Sequence, residues 1–291
     1  MSARRWPIIT FALIAINLAA FLATNSTIQE QSAAMGRTKA HILMLIGLHP
    51  ELQMTPEVQA FVDDVKKSQP GLWREAQDAN RPIVDEWDAR MRMIDGTTDI
   101  YQAEMDQLAA QYSELAAGSL TERYAFAPGH PKPVTYLTAN FLHGGWLHLI
   151  GNMWFLWLAG FLLEDIWGRP VYAVFYLLAG AAALQFHAWL SGSMLVPTLG
   201  ASGAVAALMG AFLVRFPTTK INMGFFYILF FRPRFYRFQM RAYWLLPLWL
   251  LMEVVYGMWF GQMTGVAHWA HVGGFLFGAV VALGIKFSGL E

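Results

Sequence analysis

A hydroxyl and an imidazole held at one depth are the minimum equipment for nucleophilic acyl transfer, because the imidazole takes the hydroxyl proton and later returns it to the leaving group. Residues able to do such work are few in the apolar stretches of this chain: Asn17, His148, Asn152, His187, Ser202, Glu253 and His271, with His268 near an end. Polar groups in long apolar segments are costly to bury, so each is a functional candidate. Depth follows from the helical rise of about 1.5 Å per residue. Counted from a charge at one end of each stretch, Ser202 lies ~20 Å above Arg215 and His271 ~22 Å above Lys286, while His148 and Asn152 lie ~24 and ~18 Å above Glu164. Four polar residues from three stretches share one level. In a hydrocarbon layer about 30 Å thick, that level is ~10 Å below the far face, which describes a recessed site open to one side.

His148 and Asn152, at i and i+4, share a helix face and can both donate hydrogen bonds to a developing oxyanion. Glu253, ~18 Å above Arg241, is on another stretch, and nothing in the sequence brings it to the other four. It reads as an interhelical hydrogen-bonder rather than a group that tunes gating. His268 and His271 could bind a metal together with His148. No acidic or thiolate ligand joins them in the sequence, so no metal and no cofactor is expected.

The elements that must position these residues are legible in the composition. Of 291 residues, 56% are hydrophobic and 14% charged, against roughly 25% charged in a soluble domain. The charges concentrate in residues 24 to 132, which hold 16 acidic and 10 basic side chains, whereas residues 133 to 291 hold only 12 charges. A purely soluble protein is excluded. The absence of cysteine excludes a disulfide framework and a Cys nucleophile, and the net charge of zero gives no hint of a nucleic-acid partner.

Six stretches approach the roughly 20 apolar residues that span a bilayer: 6–24, 147–163, 171–190, 201–214, 243–260 and 266–285. Ser191 to Gly200 marks the loop between the third and fourth. Ile221 to Phe231 is apolar but too short to cross, and reads as an interfacial hairpin or an inner-side contact. Arg4 and Arg5 before the first stretch would also suit a signal peptide, but its uncharged run is long for one and no clean cleavage site follows. Arg4, Arg5, Arg169, the group from Arg215 to Arg241 and Lys286 fall on one side of a six-span arrangement, which puts both termini in the cytoplasm.

The expected organisation is therefore a cytoplasmic N-terminus and first transmembrane helix over 1–24, an extracytoplasmic helical insertion over 25–132, and a five-helix membrane core over 133–291. The fold class is an all-α membrane protein, a six-transmembrane-helix bundle with the insertion between helices 1 and 2. Within the insertion, Thr55-Pro56-Glu57 reads as a helix start with Val58, Phe61, Val62 and Val65 on one face. Asp99 to Ala117 reads as a second helix whose face includes Ile100, Met105, Leu108, Ala109, Tyr112 and Leu115.

Three segments carry a family resemblance. Gly200-Ala201-Ser202-Gly203, the run from His143 through Gly144-Gly145-Trp146-Leu147-His148 to Asn152, and Ala270-His271 followed by Gly274 and Gly278 resemble, in order and spacing, the signature segments of rhomboid intramembrane serine proteases. The resemblance implies a Ser202/His271 dyad without a third acid, and an oxyanion pocket from His148, Asn152 and the Ser202 backbone amide. It further implies that the partners are the lipid bilayer and single-span membrane proteins, cut within their transmembrane segments near the outer face. Gly200, Gly203, Gly274 and Gly278 read as small residues that let helices approach. A bacterial inner membrane is expected from the compact motif and the lack of a targeting peptide. Some members place an aromatic four residues after the nucleophile, stacked on the catalytic histidine. Here that position is Ala206, so something else must hold the His271 ring. The main rival is a catalytically inactive relative that binds transmembrane clients, which would be expected to lack the Ser or the His. A transporter would need a through-path with paired charges or broken helices.

Overall fold

The computed structural model describes residues 6–78, 97–191, 193, 195–229 and 232–289. Arg4 and Arg5, used above for orientation, lie outside the described residues, as does part of the 25–132 insertion. Helices dominate: α1 (Ile8–Leu48), α2 (Pro56–Ser68), α3 (Pro70–Asp78), α4 (Thr97–Gly118), α5 (Leu120–Tyr124), α6 (Thr135–Thr138), α7 (Trp146–Trp167), α8 (Arg169–Leu190), α9 (Ser202–Arg215), α10 (Ala242–Trp259) and α11 (His268–Ser288). Between α9 and α10 the chain forms an antiparallel hairpin of β1 (Lys220–Leu229) and β2 (Arg232–Arg241), with Lys220 opposite Arg241 and Gly224 opposite Arg237. The short apolar run after Lys220 is thus not a hairpin by itself but its first strand, paired with the arginine-rich segment that follows.

Among the described residues, five helices, α1, α7, α8, α10 and α11, are long and apolar enough to cross a membrane. The sixth, α9, is also apolar but has only 14 residues, about 21 Å at the helical rise, which is less than a hydrocarbon layer. The protein is an integral membrane protein of the mainly helical kind.

Contacts divide the chain into two compact units. The first comprises residues 1–19, 145–190 and 200–291. Its long helices expose large apolar side chains, among them Trp154, Phe155 and Leu158 on α7, Val174 and Leu178 on α8, Leu251 on α10 and Val280 on α11. In water such a surface would aggregate; in a bilayer it is the solvated face. In α9, by contrast, every residue from Gly203 to Phe212 is buried. Lipid gives no hydrophobic drive for helices to associate, so close backbone packing has to hold α9 in place. Three glycines allow it: a Cβ on Gly274 would strike the Gly203 carbonyl, one on Gly278 the Ala207 carbonyl, and one on Gly210 the Phe275 carbonyl.

Glu164 on α7 is buried rather than a plain face-marking charge. Its Oε1 accepts from the Ile9 amide at 2.9 Å, and its Oε2 from the Thr10 amide and hydroxyl, both at 2.8 Å. The carboxylate caps the N-terminus of α1, where free amides and the helix dipole favour negative charge. Asn17 Nδ2 donates to the Leu13 carbonyl of its own helix at 2.8 Å.

The second unit comprises residues 20–144 and 191–199. The first helix does not end at Thr24 but continues to Leu48, because its polar continuation carries a stripe, Ile42, Leu45 and Ile46, that has an apolar partner. That partner is the buried face of α2, Val58, Phe61, Val62 and Val65, together with Met105, Leu108 and Ala109 of α4. Thr55 starts α2 as expected, its side chain accepting from the Val58 amide at 3.4 Å. On α4 the stripe is led by Tyr101, which packs on this cluster, while Ile100, counted on that face above, is 61% exposed. Positions 101, 105, 108 and 112 follow the helical repeat, and Ile100 is one residue off it.

Candidate active site

Ser202 is the first residue of α9, preceded by a non-helical approach. The approach turns at Gly200, whose φ of +128° suits glycine alone. Space also requires it: a Cβ there would lie 2.6 Å from His148 Cε1, 2.7 Å from its Nε2 and 3.8 Å from Asn152 Nδ2. The strand of backbone leading to Ser202 therefore rests directly on the imidazole and carboxamide of α7. On the other side, a Cβ on Gly203 would meet Ala183 of α8 at 2.6 Å and the Ala270 carbonyl at 3.7 Å. Ala270 is the neighbour of His271. The segments bearing Ser202, His148, Asn152 and His271 are thus brought together, with Ser202 and His271 half-buried, Asn152 buried and His148 exposed.

The start of α9 supplies further donors. Val205 donates to the Ala201 carbonyl at 2.9 Å, so the amides of Ser202, Gly203 and Ala204 precede the first intrahelical bond. Among the described residues, Asn152 Nδ2 is buried with no hydrogen-bond partner. A desolvated amide donor costs stability when unpaired, and its position beside Gly200 leaves it ready for an acceptor. His187 is buried on α8, with its Nδ1 likewise unpartnered.

Sequence reasoning missed one group of side chains. The sequence does not bring Glu253 to the site, but its Oε2 lies 2.9 Å from His271 Nδ1 and 2.7 Å from His268 Nδ1. An acidic group therefore does join the two histidines, and the three offer ligand atoms within 4.8 Å of one another. Each contact has hydrogen-bond length, which an ionised carboxylate accepting two N–H groups satisfies without an ion. Trp249 stacks on the His271 ring at 5.9 Å and 29°, and Tyr256 on the His268 ring at 5.6 Å and 18°. Trp249, Glu253 and Tyr256 stand at i, i+4 and i+7, one face of α10, opposite His268 and His271 at i and i+3 on α11. That periodicity was the available signal. Gly257, one turn beyond Glu253, lets the helices close, since a Cβ there would meet Trp269 at 3.1 Å and His268 Cβ at 3.3 Å.

A family model for the rhomboid domain matches residues 130–286. RHOMBOID-like protein 4 of Arabidopsis thaliana is 30% identical over 142 residues, which is 49% of this chain and 31% of that protein. Rhomboid-like protein 11, chloroplastic, from the same plant, is 37% identical over 73 residues, 25% of this chain and 26% of that protein. The chain thus spans about a third or less of the length of these curated relatives.

Proposed function

The chain belongs to the rhomboid family, and on that premise we propose that it is an intramembrane serine endopeptidase that cuts transmembrane segments of single-span membrane proteins. The observation that carries this reading is the placement of Ser202 at the start of a short, buried helix, between Gly200, which lies against His148 and Asn152, and Gly203, which lies against Ala270, the neighbour of His271. Ser202 Oγ attacks the scissile carbonyl carbon as its proton passes to His271 Nε2. The oxyanion so formed takes hydrogen bonds from Asn152 Nδ2, His148 and the Ser202 amide. Collapse breaks the C–N bond, and the amine leaves with the proton from His271. Water, deprotonated by His271, then hydrolyses the acyl-enzyme and restores Ser202.

Depth and charge support an outward opening. A helix of ~21 Å whose basic end, Arg215, lies at the inner face ends short of the opposite surface. Both termini then lie on the cytoplasmic side of a membrane we read as bacterial. The test is incubation of the purified protein with a panel of single-span substrates, alongside Ser202→Ala and a fluorophosphonate probe. Cleavage and probe labelling by wild type alone are expected. A folded wild type that neither labels nor cleaves any substrate would favour an inactive client-binding protein.

The second unit is proposed to select clients rather than to catalyse, since no proposed dyad or oxyanion residue lies in it. Gln31 Nε2 donates to the Gly118 carbonyl at 3.0 Å and its Oε1 accepts from the Leu120 amide at 2.9 Å. The ends of residues 30–118 are therefore close enough for a short Gly/Ser linker to replace them. The variant should cleave a minimal transmembrane peptide at a rate similar to wild type and lose activity on at least one full-length client. Lost activity on the minimal peptide, in a folded variant, would assign the unit to catalytic support.

A further inference from the structure

We propose that Glu253 is a positioning residue for His271, so that the proposed dyad works as a Ser202–His271–Glu253 relay in which the acid comes from the neighbouring helix. The proposal rests on the serine-protease reading above but stands on separate observations. Its carboxylate is 13% exposed and lies 2.9 Å from His271 Nδ1. Which nitrogen of His271 is bare is decided by this contact, because a carboxylate oxygen can only accept and Nδ1 must therefore carry the proton. Nε2 is then left with its lone pair, the form a general base requires.

Hydrogen-bond accounting through His268 supports the same assignment. Thr264 Oγ1 accepts from the Val266 amide at 3.3 Å and sits 2.8 Å from His268 Nε2, against 3.5 Å to the Gly261 carbonyl. Because a carboxylate oxygen can only accept, His268 Nδ1 likewise holds the proton it donates to Glu253 at 2.7 Å. The carboxylate is thereby fixed by a second imidazole, and Trp249 covers the face of the His271 ring. Ala206 offers no aromatic surface, and the α10 stripe fills that need. When Ser202 gives up its proton, the imidazolium formed at His271 is stabilised by the charge behind it, which is the role a carboxylate plays behind an imidazole in soluble serine proteases.

A merely structural Glu253 would set helix packing without affecting the protonation pattern of His271, and two measurements separate the cases. In wild-type protein in detergent micelles with ¹⁵N-labelled histidine, NMR should report His271 protonated at Nδ1 and bare at Nε2. Glu253→Leu should lose that preference. Glu253→Gln keeps shape and an acceptor oxygen but loses the charge, so fluorophosphonate labelling of Ser202 should slow roughly 10²- to 10⁴-fold, with KM for a cleaved transmembrane peptide within about twofold of wild type. Thermal unfolding of each variant confirms that it is folded. A wild-type His271 protonated at Nε2, or a folded Glu253→Gln variant labelling at the wild-type rate, would overturn the proposal. Neither result touches the serine-protease reading, which falls only if wild type itself neither labels nor cleaves.

Discussion

Ser202→Ala and His271→Ala are each expected to lower turnover on the order of 10⁵- to 10⁶-fold, and the double variant is expected to be no worse than either single one. The reason is that the two groups act in one event. Without the imidazole, the serine hydroxyl keeps its proton and is a poor nucleophile; without the hydroxyl, the base has nothing to activate. Removing either abolishes the same step, so the losses do not add. Fold integrity is not at stake for Ser202, a half-buried residue from which the change removes a single oxygen, while the close approach to Ala183 and Ala270 is made at Gly203. His271 differs, because its loss leaves Glu253 with one histidine instead of two. His271→Gln, which can still donate to the carboxylate, is the better control for stability. A loss of less than about 10²-fold in both variants, or additive losses in the double variant, would remove Ser202 and His271 from the role of a single catalytic unit, since only the modest catalysis of the oxyanion donors and substrate binding survives loss of either group.

The way the chain reveals itself differs between its parts. Transmembrane helices were legible because length and apolarity are physical requirements of a bilayer, and the apolar stretches ending near Leu163, Leu190 and Ile285 correspond to α7, α8 and α11. The insertion's α2 was legible for a local reason: Thr55, Pro56 and Glu57 cap a helix through their own backbone and side chains. The run of α1 past Thr24 was not, since polar residues from Asn25 onward signal departure from lipid without signalling departure from helix. Its continuation is decided by packing of Ile42, Leu45 and Ile46 on residues far along the chain. Glu253 was hidden for a related reason. Depth counting gives height in the membrane but not azimuth, and only the facing of the Trp249-Glu253-Tyr256 stripe toward His268 and His271 reveals that the carboxylate and the imidazoles meet. The strand β2 was equally obscure, with arginines at 232, 234, 237 and 241 that read as loop charge until paired with β1.

Asn152→Ala should lower kcat roughly a hundred- to a thousandfold, the usual cost of one oxyanion donor, or ~2.7–4 kcal/mol of transition-state stabilisation. Two features sharpen this. First, Asn152 Nδ2 is buried and unpaired before substrate arrives, so its hydrogen bond is made only when an acceptor forms next to Ser202, and the loss should fall on kcat rather than on KM. Second, an unpaired buried amide carries a desolvation penalty of about 1–3 kcal/mol in the resting protein. Replacing it with a methyl removes that penalty, at the expense of some packing, so the thermal midpoint of Asn152→Ala should stay near or above that of wild type while activity collapses. His148→Ala should lose turnover by a comparable factor with no such gain, because His148 is exposed; its imidazole also supports Gly200, within 2.6 Å of where a Cβ would be. Steady-state kinetics on a transmembrane peptide, paired with thermal unfolding of each variant, separates the effects. If Asn152→Ala raised only KM, the carboxamide would be positioning substrate. If it lowered stability and activity together, its amide would be paired in the resting protein.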